Sequence, residues 1–213
     1  MKFGRIMVFG AAVLALAGCG SSSSSSTTTT AAASTTSTGP TTTTAPTPNL
    51  RSLALAITDL PTGWSVDPSD NSHTDSCYSD PLTKVPSTSY VSVKFTDGGT
   101  APELVQELGT YANSTQAFAK ITSTLNACHN FTETAATSSV SGTLGAMSFP
   151  PVGDQSAAYT ANLSAEGLSL VQGFVVVRKG PYVTAVALGD IGSLDTSSLQ
   201  QFVTQAVGKL PAG

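Results

Sequence analysis

Residues 50–213 predict a single α+β domain: an antiparallel sheet of about five to seven strands packed with two main helices that cover one of its faces. Three observations carry this. Val91, Val93 and Phe95 alternate with Tyr90, Ser92, Lys94 and Thr96, the period of a half-buried strand. Apolar residues recur at helical spacing in two places, at Phe118, Ile121, Leu125 and Cys128 and again at Leu199, Phe202, Val203, Ala206, Val207 and Leu210. The runs 156–164 and 168–178 are separated only by Ala165-Glu166-Gly167, a hairpin signal. Strands plus two helices with one apolar stripe each fit one layered domain.

Leu50 to Ala56 predicts a short helix, ended by Asp59-Leu60-Pro61, and Thr62-Gly63-Trp64 turns the chain and sends Trp64 into the core. The stretch 68–86 is polar and acidic and reads as a long loop fastened at Cys77. Strands follow at about 90–96 and, less regularly, 103–111. Asn113 with Gln116 three residues later has the form of a capping box opening the first main helix, whose stripe ends at Cys128. Runs at 130–135, 139–149, 156–164 and 168–178 continue the sheet. Arg178-Lys179-Gly180-Pro181 turns into 182–188, and the last helix begins near Asp195.

The first 49 residues do not belong to this domain. Lys2 and Arg5 precede twelve nearly continuous apolar residues from Ile6 to Ala17, a signal-peptide core too short to span a membrane. Leu16-Ala17-Gly18-Cys19 then matches the bacterial lipobox residue for residue. That match implies a signal peptide at 1–18, cleavage before Cys19, and acyl chains on Cys19 that hold the protein to the outer face of the cytoplasmic membrane, since two or more chains anchor stably. Between residues 21 and 48, 20 of 28 positions are Ser or Thr, three are Pro and none is aromatic, so 19–49 is expected to be a lipidated cysteine followed by a disordered tether. As a flexible coil the tether reaches about 30 Å. Thr-rich stalks of this kind resemble the O-glycosylated linkers of actinobacterial exported proteins. The sequons at Asn113, Asn130 and Asn162 are simplest as chance in a Ser/Thr-rich chain.

No charge occurs between Gly20 and Asn49, and all 13 acidic residues but only 7 of the 9 basic ones follow, a net charge of −6. A domain of that charge lacks the basic face that phosphate contacts require, which excludes nucleic acid as a partner. Charge alone would not hold it to anionic lipid either.

With Cys19 lipidated, Cys77 and Cys128 remain, and outside the membrane an even pair reads as a disulfide. His73 and His129 beside them raise zinc as an alternative, but the adjacent Cys128 and His129 would chelate one tetrahedral ion poorly, so no metal is expected. Asp70, Asp75 and Asp80 lack EF-hand spacing and read as a solvated loop. No nucleophile elbow, Ser-x-x-Lys, His-Glu-x-x-His or phosphate-cradling loop is present, and Glu103, Glu107, Glu133 and Glu166 read as surface charges. No catalytic residue and no cofactor are therefore expected.

Several stretches, in order, carry a family resemblance: Asp59-Leu60-Pro61-Thr62-Gly63-Trp64, Asp75-Ser76-Cys77, the helix 114–125 running into Ala127-Cys128-His129-Asn130, Gly153-Asp154-Gln155-Ser156, and the strand 183–188 before the last helix. Over roughly residues 50–210 the chain resembles the extracellular sensor domains of mycobacterial receptor-type serine/threonine kinases and the lipoproteins similar to them. The resemblance implies an antiparallel sheet with helices and a ligand cleft. Of that family's two disulfides only the first pair has counterparts, Cys77 and Cys128; the second pair is replaced around Gly173 and Ala187.

The expected function is a non-enzymatic ligand-binding or sensor module of the cell envelope, recognising a glycan, a lipid or a small polar solute. A protein-interaction accessory docking another exported protein is the alternative, and an envelope hydrolase, which would have to use His73 or His129, is the third.

Overall fold

The computed structural model describes residues 49–68, 76–98, 101–134, 139–165 and 167–212. Cys19, the signal segment, the tether, His73, Asp70, Asp75 and Glu166 lie outside the described residues.

Within the described residues the strands are β1 (Trp64–Val66), β2 (Ser89–Asp97), β3 (Glu103–Thr110), β4 (Asn130–Thr134), β5 (Ser139–Ala146), β6 (Gln155–Ala165), β7 (Leu168–Lys179) and β8 (Tyr182–Ile191). The helices are α1 (Leu50–Leu53), α2 (Ser114–Ala127) and α3 (Thr196–Gly208). All eight strands form one antiparallel sheet in the order β1-β2-β3-β8-β7-β6-β5-β4. The sheet is two meanders, β1–β3 and β4–β8, zipped together where β8 returns to pair with β3.

The strand count exceeds the expected five to seven. The extra strand is β1, placed where the sequence suggests only a turn. Three residues are too few to show a period, and Ser65 and Val66 are exposed, so no apolar alternation marks it. Trp64 is half-buried and meets Phe202 of α3 edge to face, ring centroids 5.4 Å apart. The opening helix is also shorter than expected. It closes at Leu53, and the Asp59 carboxylate then accepts the Ala56 N–H at 2.8 Å to start a separate 3-10 turn, Ile57–Asp59.

The sequence predicts both main helices on one face of the sheet; they instead cover opposite faces. Val175 and Val177 of β7 point into one core with Leu199, Phe202, Val203, Ala206 and α1's Leu50. Phe174 and Val176, their neighbours in the chain, point into a second core with Phe118, Ile121 and Leu125 of α2. The cause lies in β7 and β8. Phe174 to Val177 and Val183 to Val186 are continuous runs of buried residues, as in strands covered on both sides. Gly173 serves this packing, because a side chain there would collide with Leu194 and Leu199 where α3 meets β7.

Gly173 faces the α3 core and Ala187 the α2 core. These two positions therefore do not oppose each other as the ends of a lost crosslink would.

Of the capping box predicted at Asn113, the N-cap bond forms, and Asp195 caps α3. Asn113 Oδ1 accepts the Gln116 N–H at 2.9 Å, and Asp195 Oδ1 accepts from the Ser197 and Ser198 N–H groups. The Gly153-Asp154-Gln155-Ser156 stretch is structural. Asp154 Oδ2 accepts the Gly180 N–H at 2.9 Å and pairs with Arg178 at 3.1 Å, and Gln155 Oε1 accepts from Arg178 Nε at 2.8 Å. Together these bonds bind the start of β6 to the β7–β8 turn.

Candidate functional site

The carboxyl half of α2 runs beside β6 and leaves a cleft of about 360 Å³ between them. Phe118, Thr122 and Asn126 line it from the helix, a spacing of four residues that places all three on one ridge. Met147 and Phe149, where the chain leaves β5, and Ser156 to Tyr159 of β6 complete the lining; Met147, Phe149 and Ala158 also pack against the α3 core, so the cleft lies at the edge of β6 beyond its last pairing with β5. β5 ends at Ala146, short of the 149 expected from the sequence, and the Met147 N–H makes one further bond, to the Ala158 carbonyl at 2.9 Å.

Tyr159 organises the cleft. Its side chain is buried and its ring stacks on Phe174 at 5.2 Å. Its hydroxyl donates to Asn126 Oδ1 at 3.1 Å. With Oδ1 so occupied, the two Nδ2 protons of the exposed Asn126 are turned away from Tyr159. Burial raises the Tyr159 phenol above its ordinary range, so it stays a neutral donor. Ser156 Oγ accepts the Val152 N–H at 3.2 Å, leaving its own proton to give. Thr122 Oγ1 gives its proton to the α2 backbone, at Phe118 O 2.9 Å away. The lining carries donors, a thioether and aromatic carbon, and none of its residues is charged.

The site residues expected from the sequence are placed as follows. Cys77 and Cys128 form a disulfide with Cα atoms 5.7 Å apart, joining the acidic loop to the end of α2. His129 is exposed beside it. Among the described residues no three His, Cys, Asp or Glu side chains are grouped to hold a metal ion. Glu103 pairs with Lys94 at 2.8 Å.

Glu107 is not the surface charge the sequence suggests. It is 3 % exposed, because β3 lies between β2 and β8 and Glu107 faces the α2 core. Its Oε2 accepts the Leu82 N–H at 3.0 Å. Burial first, then a hydrogen bond and charge repulsion from Asp80, hold its carboxyl well above the usual carboxylate range. Asp80 is correspondingly half-buried against Glu107 and is not a solvated loop acid. Asn126 and Tyr159 also escaped the sequence reading. Asn126 follows no apolar pattern, and Tyr159 looks like any inward strand residue.

The arrangement is an uncharged cleft on an antiparallel α+β domain. Among solved structures, the chain is similar to the extracellular domain of PknH from Mycobacterium tuberculosis, at 13 % identity and a TM-score of 0.45, over 63 % of this chain and 69 % of that one. The likeness is distant. No protein-family model matches the sequence, and no curated protein matches it.

Proposed function

We propose that the chain is a lipid-anchored, extracytoplasmic, non-enzymatic binding module that takes an uncharged envelope ligand in the cleft between α2 and β6. The observation that carries this reading is the Asn126 amide, fixed by Tyr159 at the mouth of an uncharged, partly aromatic cleft. Such a lining selects a molecule with a hydrogen-bond acceptor for Asn126 and an apolar face for Met147 and Phe149, as a neutral sugar ring has. A charged ligand would lose its hydration there with no partner to replace it. The lipobox at Cys19 and the Ser/Thr tether support the location. The lining offers no base beside its hydroxyls, which supports binding over hydrolysis.

The test uses the full chain made in an exporting host and released from membranes in detergent for native mass spectrometry. A neutral adduct that Met147→Arg abolishes supports the reading, and Cys19→Ser should move the protein out of the membrane fraction. A bare mass, unchanged after incubation with envelope extracts, would count against the cleft.

Leu168 and Ile191, 55 % and 53 % exposed on the same face of neighbouring strands, favour a second reading, docking of an exported protein. Crosslinking from Leu168 to a protein, with the cleft empty, would select it.

A further inference from the structure

β6 pairs with β7 along its whole length, from Gln155 to Ala165, but with β5 only from Tyr159 onward. The last bond across the β5–β6 ladder runs from the Met147 N–H to the Ala158 carbonyl. In an antiparallel ladder the N–H and C=O of one residue point to one side, and those of the next residue to the other. Ala158 turns its groups towards β5, so Ser156, two residues earlier, turns its N–H and C=O the same way, into the cleft. The β6–β7 hairpin agrees. Its two-residue turn makes Ala165 and Leu168 a hydrogen-bonded pair, so alternate residues back to Gln155 bond β7, and Ser156 lies between them.

Had β5 continued, Phe149 would oppose Ser156. Instead Met147, Phe149 and Val152 swing onto the α3 core. Among the described residues no backbone group bonds the Ser156 N–H or carbonyl, while its hydroxyl accepts the Val152 N–H at 3.2 Å. The cleft therefore contains a short length of open sheet edge. A residue set opposite Ser156 would point its side chain as Ser156 does, towards Met147 and Phe149, and its neighbours would point theirs towards Phe118, Thr122 and Asn126. One wall is apolar and the other mixed, and neither is charged. A volume of about 360 Å³ takes a segment of a few residues.

We propose that the ligand of this cleft is a short, uncharged peptide that adds to the edge of β6 as an extended strand, its central residue exchanging two backbone hydrogen bonds with Ser156. Strand addition draws affinity from main-chain bonds and selectivity from the pockets that take alternate side chains. Here the central side chain is apolar, against Met147 and Phe149, and blocked ends keep the segment neutral. The proposal rests on the reading of this cleft as the ligand site and narrows its ligand to a peptide.

The experiment is an amide NMR titration of the isotope-labelled full chain in detergent. The probes are N-acetylated, amidated alanyl-valyl-alanine, the same tripeptide N-methylated at valine, and cellobiose. The plain tripeptide should shift the Ser156 amide and slow its hydrogen exchange. Methylation at valine removes the donor to the Ser156 carbonyl and should weaken binding by about tenfold. Ser156→Pro removes the edge N–H where β7 does not use it, a place in a sheet that tolerates proline, and should weaken the plain tripeptide as much. Ser156→Ala should bind it as the wild type does. Equal binding of the two tripeptides to the wild type overturns the proposal without reliance on any variant folding. Cellobiose shifting the Asn126 side-chain amide, with no tripeptide response at Ser156, overturns the peptide and leaves the cleft a ligand site. Silence towards every probe overturns both.

Discussion

The Tyr159 hydroxyl donates to Asn126 Oδ1 at 3.1 Å, tying the middle of β6 to the last turn of α2. One bond therefore sets both the spacing of the cleft walls and the direction of its amide protons. Removing it by Tyr159→Phe should lower stability by about 1 kcal/mol. Asn126→Ala removes the same bond and should lower the urea midpoint about as much, and it should also abolish the neutral adduct in native mass spectra, which Tyr159→Phe should keep. An adduct that survives Asn126→Ala would make Asn126 structural only.

Cys77 and Cys128 close a loop of 51 residues' separation. On the chain-entropy account, replacing both by Ser should cost about 4 kcal/mol. Equilibrium urea unfolding without reductant measures it. A cost near zero would mean that the unfolded chain without the crosslink is already restricted by residual structure.

Gly153 stands at φ +67°, and a Cβ there would lie 2.5 Å from Val177 Cγ1 and 2.7 Å from the Arg178 carbonyl. Gly153→Ala should therefore destabilise the domain by about 1–3 kcal/mol, through backbone strain and displacement of the β7–β8 turn. Thermal unfolding checks the size, and Asp154→Ala should reproduce part of it by removing the Gly180 and Arg178 contacts.

Asp59 links the start of the domain to its end through an ion pair with Lys209. Burial works against its charge, but the Lys209 ammonium and the Ala56 N–H outweigh it and hold the carboxyl below its ordinary 3.8. A lowered carboxyl contributes stability above that ordinary value and loses it as pH falls through the folded one. In acid the wild type should therefore lose stability that Asp59→Asn never had, so their unfolding midpoints should converge as pH falls below the ordinary carboxylate range. Curves that stay parallel throughout the acid range would remove the ion pair from the account.

The meander β4–β8, the caps Asn113 and Asp195 and the cysteine pair are legible in the sequence because each rests on local spacing or a single residue type. The placement of α3 opposite α2 is a tertiary fact. Its trace is the unbroken Phe174–Val177 run, where a one-faced sheet would alternate. Glu107 shows the same limit from the other side. A glutamate in a strand reads as an outward charge until the strand is known to have neighbours on both sides and the turn Pro81–Lys84 packed above it. The position and lining of the cleft could not be read, because Asn126 and Tyr159 are 33 residues apart and neither belongs to a motif.

The most direct test of the binding account is a photoreactive side chain at position 147, in the wall of the cleft, activated in intact cells making the full chain. The account predicts capture of one uncharged envelope molecule of small mass, lost when Asn126→Ala is added. Capture of proteins alone, or of nothing, from position 147 would contradict it.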